Sequence, residues 1–358
     1  MKTGVPPLAA LVVTRSEAGL KLLRFLERRL ESSARSPLHK WIRTGQVRVN
    51  GRRAKAFDLV AEGDEIRVPP FAALLRKAAN DDCRSTLPNI AVLCAEKDYL
   101  VLCKPGGLPV QGGSGHSDSV AHRLQQAFAG NDYVPAPAHR LDRDTSGLLL
   151  AGRNAMAQKR LHGLFAEGRI GKDYLAWVGG APPWSGPRLL ADRLKKALPD
   201  EKGREGMCCL PGGLDLAPEN PALARTLAEF NAKAGADATL AALSLILPLG
   251  PRLTLCAAPY ASHTASLLLI RLLSGRKHQI RVQLASRGLP ILGDRRYGPE
   301  AACAAPLLLH AWRLQLPWPE SANECETPRQ YCLAPDWPAA FAVDPACLEQ
   351  DKTAWPAI

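Results

Sequence analysis

His139-Arg140-Leu141-Asp142-Arg143-Asp144-Thr145-Ser146-Gly147, followed by Leu148-Leu149-Leu150, sets two carboxylates among two arginines and then enters an apolar segment. Strand interiors rarely hold so many charges. The nonapeptide therefore reads as a loop that feeds a buried strand over Leu148 to Gly152. A carboxylate kept ionised by neighbouring guanidinium groups is poised as a nucleophile or charge stabiliser, not as a proton donor at neutral pH. Spacing alone does not rank Asp142 against Asp144. A surface loop with structural ion pairs would have the same composition.

Upstream, Ile90 to Cys94 and Tyr99 to Cys103 read as strands joined at Lys97-Asp98. Lys104-Pro105-Gly106-Gly107-Leu108-Pro109-Val110 and Gly112-Gly113-Ser114-Gly115 follow. So much glycine marks a loop with close backbone approach, able to cradle a phosphate through its N–H groups. It is not a nucleotide P-loop, because no Gly-Lys-Ser/Thr opens a helix. Downstream, Asn154 to Glu167 reads as a helix and Lys172 to Val178 as a strand carrying Tyr174, by itself an ordinary half-buried aromatic. Residues 195–265 are rich in Ala, Leu and Pro and carry no sharp motif. Leu267 to Leu273 reads as a buried strand. Ser274-Gly275-Arg276-Lys277-His278-Gln279-Ile280-Arg281-Val282 then leads to a stop at Gly288. Ile280 and Leu284 share a helical face, so Arg281 projects from a helix anchored in the core. Pro290 to Asp294, Tyr297-Gly298 and a strand over Leu307 to Trp312 come last.

The N-terminal piece has its own character. Leu22, Leu23, Leu26 and Leu30 form one face of a helix over Gly19 to Leu30, with Lys21, Arg24 and Arg28 opposite. Ser36 is placed to cap a second helix with Pro37 at its first position, ending at Gly45. Val47 to Arg53 alternates around Asn50-Gly51, a strong hairpin signal. Gly63-Asp64 makes another turn before a strand over Glu65 to Val68. Residues 1–70 hold 14 Lys/Arg against 7 Asp/Glu, within a chain of 358 residues and net charge +12. That balance favours a polyanionic partner, nucleic acid ahead of a membrane surface. Arg43, Arg48, Arg52, Arg53 and Lys55 are the candidate phosphate contacts. A basic dimerisation hairpin is the plainer alternative. Residues 71–88 read as a linker.

The 10 cysteines include no C-x-x-C pair, so a zinc ribbon is not expected. No signal peptide and no membrane span are read, and reduced thiols in a cytoplasmic protein are the simplest account.

The nonapeptide resembles the signature loop of the RluA-type RNA pseudouridine synthases, His-Arg-Leu-Asp-x-x-Thr-Ser/Thr-Gly. Lys104-Pro105-x-Gly107, the Lys172-x-Tyr174 strand, Gly275-Arg276-x-His278-Gln279-Ile280-Arg281 and Leu309-His310-Ala311 are similar to further blocks of that family, in its order. The string Gly112 to Gly115 is closer to the RluC type, which acts on large-subunit ribosomal RNA. Residues 15–70 resemble the S4 RNA-binding domain. The resemblance implies an α+β protein: a small S4-like module over 15–70, a linker over 71–88, and a catalytic domain over 89–345 with a mixed, mainly antiparallel sheet. It implies that uridine in RNA, most of all 23S ribosomal RNA, is isomerised to pseudouridine by a monomer without cofactor or metal. Asp142 would be the catalytic carboxylate, Arg281 its partner and Tyr174 the group against the base, leaving Asp144 structural. Lys104, Arg140, Arg143, Arg276 and His278 would extend the RNA contacts. Gln283 stands where the family often has His, and Ser274 where it often has Thr. Extra residues fall around 208–230 and 250–264. The alternative is a non-catalytic RNA-binding or ribosome-assembly factor, which has no need to combine Asp142, Tyr174 and Arg281. A base-excising glycosylase would use the same carboxylate but release uracil.

Overall fold

The computed structural model describes residues 10–30, 35–69, 90–112, 118–198, 206–210, 212–217, 228–230, 232, 239–255, 263–299, 306–318, 328–343 and 348. The expected linker over 71–88 and the string 113–115 lie outside the described residues. The chain divides into two compact units. One comprises Met1–Leu102, Val110–Arg140 and Leu149–Gly163; the other comprises Cys103–Pro109, Leu141–Leu148 and Leu164–Ile358.

The first unit opens with a small module: β1 (Leu11–Val12), α1 (Leu22–Arg29), α2 (Arg35–Arg43), β2 (Arg48–Val49), β3 (Arg52–Arg53) and β4 (Glu65–Arg67). Its strands run β1-β4-β2-β3, antiparallel throughout. Leu22, Phe25, Leu26 and Leu30 close on Leu38, Trp41, Ile42, Val47 and Ile66 in a core of their own. The helical period of the sequence is thus the burial pattern of the module. Asn50 and Gly51 both have positive φ, 47° and 76°, as a two-residue hairpin requires. Asn50 also ties this turn to the next: its Nδ2 donates to Asp64 Oδ1 at 2.8 Å and its Oδ1 accepts from the Glu65 N–H at 2.9 Å. Helix α2 spans Arg35–Arg43, so Ser36, expected at the cap, lies within it.

The rest of this unit is built on β5 (Ala91–Ala95), most of β6 (Tyr99–Lys104), α3 (Val120–Ala127), β7 (Ala136–Pro137), the end of β8 (Ser146–Gly152) and most of α4 (Ala155–Ala166). Ser119 caps α3, its side chain accepting from the His122 N–H at 3.1 Å. Sequence reading found no helix there.

The second unit holds β9 (Gly171–Gly179), β10 (Arg188–Ala197), β11 (Gly206–Cys209), β12 (Leu214–Leu216), β13 (Leu240–Leu255), β14 (His263–Leu272), α5 (Gln279–Ala285), β15 (Leu309–Leu316) and β16 (Arg329–Cys332). Its sheet runs β11-β10-β13-β14-β9-β15, with β12 on β10 and β16 on β15, all antiparallel. The start of β8 joins β15 in parallel, which makes the sheet mixed. The α+β expectation holds. Across the sheet's centre Asp173 faces Arg271 on β14 and Arg313 on β15. It accepts from both guanidinium groups, at 2.7 and 2.9 Å from Arg271 and 2.6 Å from Arg313. One buried carboxylate thus fixes the register of three strands. Strand alternation sends the next residue, Tyr174, to the opposite face.

Gly147 is the tightest point of the parallel pair. Its φ is +115°, and a Cβ there would collide with the backbone of Ala311. Gly107 also has positive φ, +85°, but open space around it. Gly147→Ala should therefore destabilise the protein by well over the ~1–2 kcal/mol of a left-handed alanine. Gly107→Ala should cost no more than that, and denaturant unfolding of the two variants compares them directly.

Candidate active site

The loop from Leu141 to Thr145 lies wholly in the second unit. The Asp142 carbonyl accepts from the Thr145 N–H at 3.2 Å, which tightens the loop just before β8 begins. Beneath it Lys104 is buried, and its Nζ donates to the carbonyls of Pro105, Leu108 and Arg143, each at 2.8 Å. All three ammonium donors are thereby used. Lys104 is a brace that ties the glycine turn to the loop, not the RNA contact expected from sequence. Burial lowers its pKa to about 8, against the pull of Asp144 and Asp142.

The start of β8 is pinned from the other side. His310 Nε2 lies 2.8 Å from the Leu333 carbonyl, which can only accept, so the proton sits on Nε2. Nδ1 then accepts from the Ser146 hydroxyl, also at 2.8 Å. Burial brings the His310 pKa down to about 4, so the ring is neutral at pH 7.

Asp142 Oδ2 stands 3.6 Å from Arg281 Nη1, and its Oδ1 stands 4.0 Å from His278 Nε2. The carboxylate side chain is 16% exposed, so it is reachable from outside, whereas Arg281 is at 7%. Arg281 is held elsewhere: Nε and Nη2 donate to Oδ2 and Oδ1 of Asp294, each at 2.8 Å. Asp294 also accepts from the backbone N–H groups of Arg296 and Tyr297, at 2.9 and 3.0 Å. Burial opposes the charge on both partners, but the bonds between them prevail. The arginine pKa is raised and that of the carboxyl lowered. The Tyr297 ring lies 5.3 Å from the guanidinium carbon, and its hydroxyl is 2.9 Å from His278 Nδ1. Tyr174 is buried on β9; burial raises its phenol pKa, with the charges of Asp142 and Asp173 adding to the effect.

Helix α5 is buried from Gln279 to Leu284 and is aimed by its amides. Gln279 Nε2 donates to the Leu243 carbonyl and to Ser244 Oγ, both at 2.9 Å, and its Oε1 accepts from Ser274 Oγ at 2.9 Å. Gln283 accepts from Ser244 Oγ at 2.7 Å and donates to Asp192 at 2.8 Å.

The structure thus gathers Asp142, Arg281 and His278, with Tyr174 near enough to feel the carboxylate. His278 belongs to this cluster and not to an exposed RNA-contacting surface. Arg143 is exposed and paired with Asp144 at 2.9 Å. Arg276 is exposed, its Nε donating to the Ala241 carbonyl at 3.0 Å. Arg140, in the first unit, is exposed, as are Arg43, Arg48, Arg52, Arg53 and Lys55 on the small module. Sequence reading assigned no role to Asp294 or Tyr297. Both sit in the quoted block after α5, but a single Asp following Gly carries no signal of an arginine thirteen positions earlier. Among the described residues no three His, Cys, Asp or Glu gather as metal ligands, and no helix is long and apolar enough to cross a membrane.

A partly exposed carboxylate beside a buried, separately anchored arginine defines an acid–guanidinium site on a mixed sheet. The family model for RNA pseudouridylate synthase matches residues 98–286, and the chain belongs to that family. It is similar to ribosomal large subunit pseudouridine synthase C of Escherichia coli (strain K12), 37% identical over 183 residues, 50% of this chain and 57% of that protein. The chain thus spans little more than half the length of such curated relatives. The protein of the same name from Buchnera aphidicola subsp. Schizaphis graminum is 26% identical over 340 residues, 90% of this chain and 94% of that one. Among solved structures, human RNA pseudouridylate synthase domain containing 1 has a TM-score of 0.54 at 21% identity, covering 76% of this chain and 98% of that one, a likeness of fold.

Two outcomes follow from the charges. Asp294→Ala leaves Arg281 buried without its bidentate partner and should cost about 3–5 kcal/mol in denaturant unfolding. An unfolded histidine takes up its proton near 6.5, whereas folded His310 resists until about 4. Over that window the unfolded chain binds more protons. The stability linked to neutral His310 is complete above pH 6.5 and is lost as pH falls towards 4. Melting temperature against pH should fall less steeply there for His310→Asn than for the parent.

Proposed function

We propose that this protein converts uridine to pseudouridine in RNA, with large-subunit ribosomal RNA as its substrate. The observation that carries the reading is Asp142, reachable from outside and 3.6 Å from a buried arginine that another carboxylate holds. Membership of the synthase family and the names of the relatives support it.

The reaction breaks the N1–C1′ bond, turns the uracil and joins C5 to C1′; C5 loses its proton and N1 gains one, so the RNA keeps its mass. The Asp142 carboxylate, beside Arg281, attacks C1′ or stabilises the cationic sugar, as carboxylates do in glycoside chemistry. The target uridine leaves its stack at a cost of a few kcal/mol. Stacking on Tyr174, worth about 1–3 kcal/mol, offsets that cost. Burial raises the Tyr174 phenol pKa, so the ring meets the base as a neutral phenol, and we read it first as a platform. We read residues 15–70 as an S4-like RNA-binding domain and 89–345 as the catalytic domain. Arg43, Arg48, Arg52, Arg53 and Lys55 then bind phosphate from the exposed face of the module, and Arg140, Arg143 and Arg276 add contacts near the target.

Asp142→Asn in the full chain should form no pseudouridine on large-subunit ribosomal RNA, read by chemical mapping, while its RNA affinity is unchanged. Activity retained by that variant would sink the assignment, and release of free uracil by the parent would mark a glycosylase. Replacing Arg48, Arg52 and Arg53 by Ala should make the salt dependence of binding shallower, by about 0.7–0.9 in log–log slope for each phosphate no longer neutralised.

A further inference from the structure

Outside the Asp142–Arg281 pair, one connected set of polar groups has no role yet. His278 precedes α5 with φ 54°, a left-handed conformation that side chains rarely adopt. Its ring is edge-on to Tyr297, with centroids 5.7 Å apart, and Nδ1 is 2.9 Å from Tyr297 Oη. Tyr297 Oη itself accepts from the Met207 N–H at 3.0 Å, and the Tyr297 ring lies over Arg281. On its far side the imidazole presents Nε2 to Asp142 Oδ1 at 4.0 Å.

We propose that Tyr297 and His278 form a relay that positions the catalytic carboxylate. Tyr297 sets the tautomer of His278 so that a neutral Nε2–H faces Asp142 Oδ1, leaving Oδ2 towards Arg281. This deepens the synthase reading and, for its kinetic consequences, rests on it. Two arguments set the direction of the protons. With the Met207 N–H already donating into Oη, the phenol proton is directed at Nδ1. The opposite tautomer would turn a bare nitrogen lone pair towards a carboxylate, which is repulsive. The charges around the ring agree: burial and the cations Arg281, Lys277 and Arg296 outweigh Asp142 and bring its pKa down to about 4. A neutral donor can orient a carboxylate without neutralising it as an ion pair would. At 4.0 Å the pair is outside hydrogen-bond distance, so the relay requires Nε2 and Oδ1 to close by about an ångström in the working complex. His278 is thus a positioning residue, and Tyr297 positions it in turn. This differs from the RNA contact that the sequence pattern alone suggests for His278.

The test has two arms on the full-length protein. In the first, nitrogen-15 NMR of the imidazoles reads the tautomer without reference to activity. Between pH 6 and 8 His278 should carry its proton on Nε2 alone, and Tyr297→Phe should yield a mixture of tautomers. An imidazolium at neutral pH, or a tautomer that Tyr297→Phe leaves unaltered, overturns the relay. In the second, pseudouridine formation is followed on a large-subunit ribosomal RNA transcript. His278→Ala and Tyr297→Phe should lower kcat by about ten- to a hundredfold, the range of one charge-assisted hydrogen bond, with KM and RNA affinity unchanged. His278→Gln, whose amide offers an N–H at similar reach, should recover part of the loss. A fall in RNA affinity with kcat intact would instead make His278 an RNA contact and overturn the proposal. If the parent protein makes no pseudouridine, the synthase reading fails, while the NMR arm still decides the relay.

Discussion

A buried guanidinium shared unequally between two carboxylates is the constraint on which the site depends. Arg281 cannot stand charged in the interior without a partner, and Asp294 supplies one with two bonds of 2.8 Å. That leaves Nη1 towards Asp142 at 3.6 Å, beyond a good hydrogen bond. The inequality matters chemically. A carboxylate gripped bidentately would have both oxygens occupied and would be a poor nucleophile. Asp142 instead receives the field of a cation that is already satisfied, so Oδ2 is not taken up in a hydrogen bond while Oδ1 faces His278. Asp294 makes this possible because its own charge is met by two backbone N–H groups as well as by Arg281.

An arginine can serve in this way only if the helix that carries it is fixed in rotation. Helix α5 has seven residues, too short to be stable through its own hydrogen bonds. Its orientation comes from two buried amides. Gln279 and Gln283 share the Ser244 hydroxyl between them, and each reaches a strand carbonyl as well. The two departures from the family pattern fall within this network. Ser274 supplies the hydroxyl that donates to Gln279 and accepts from the Leu243 N–H. Gln283 bonds Asp192, which Arg287 also holds at 2.9 Å. A serine hydroxyl matches that of threonine, and a glutamine amide can donate where histidine would, so neither change reaches the acid–guanidinium pair.

What the sequence disclosed and what it concealed follow from the range of the interactions. The Asn50-Gly51 hairpin, the apolar face of α1 and the strand around Tyr174 were legible because turn chemistry and burial period are local. Asp142 and Arg281 were legible through long motifs. The strands β10 to β13 were not, because a run such as Leu240 to Leu249 is apolar without period and does not declare its pairing. Lys104 was misread because a lysine beside glycines looks the same whether its ammonium meets phosphate or three carbonyls. Asp294 and Tyr297 stayed silent because their roles exist only once α5 has been packed against the sheet.

The same logic explains why so much of the scaffold consists of cross-strand polar contacts. The loop that carries Asp142 is only a few residues long, and a displacement of an ångström would disturb its pairing with Arg281. Its middle rests on Lys104 through the Arg143 carbonyl, and its C-terminal side runs into β8, where Ser146 bonds His310 and Gly147 lies flat against Ala311. Strand β9, which carries Tyr174, is held in register by Asp173 between two arginines on flanking strands. These contacts join segments far apart in the chain, and none of them engages the Asp142 carboxylate. Their buried charges are costly unless every partner is in place. A substitution that loosens one of them is therefore opposed by fold stability before it can disturb the chemistry, so that the geometry of the carboxylate is tied to folding itself.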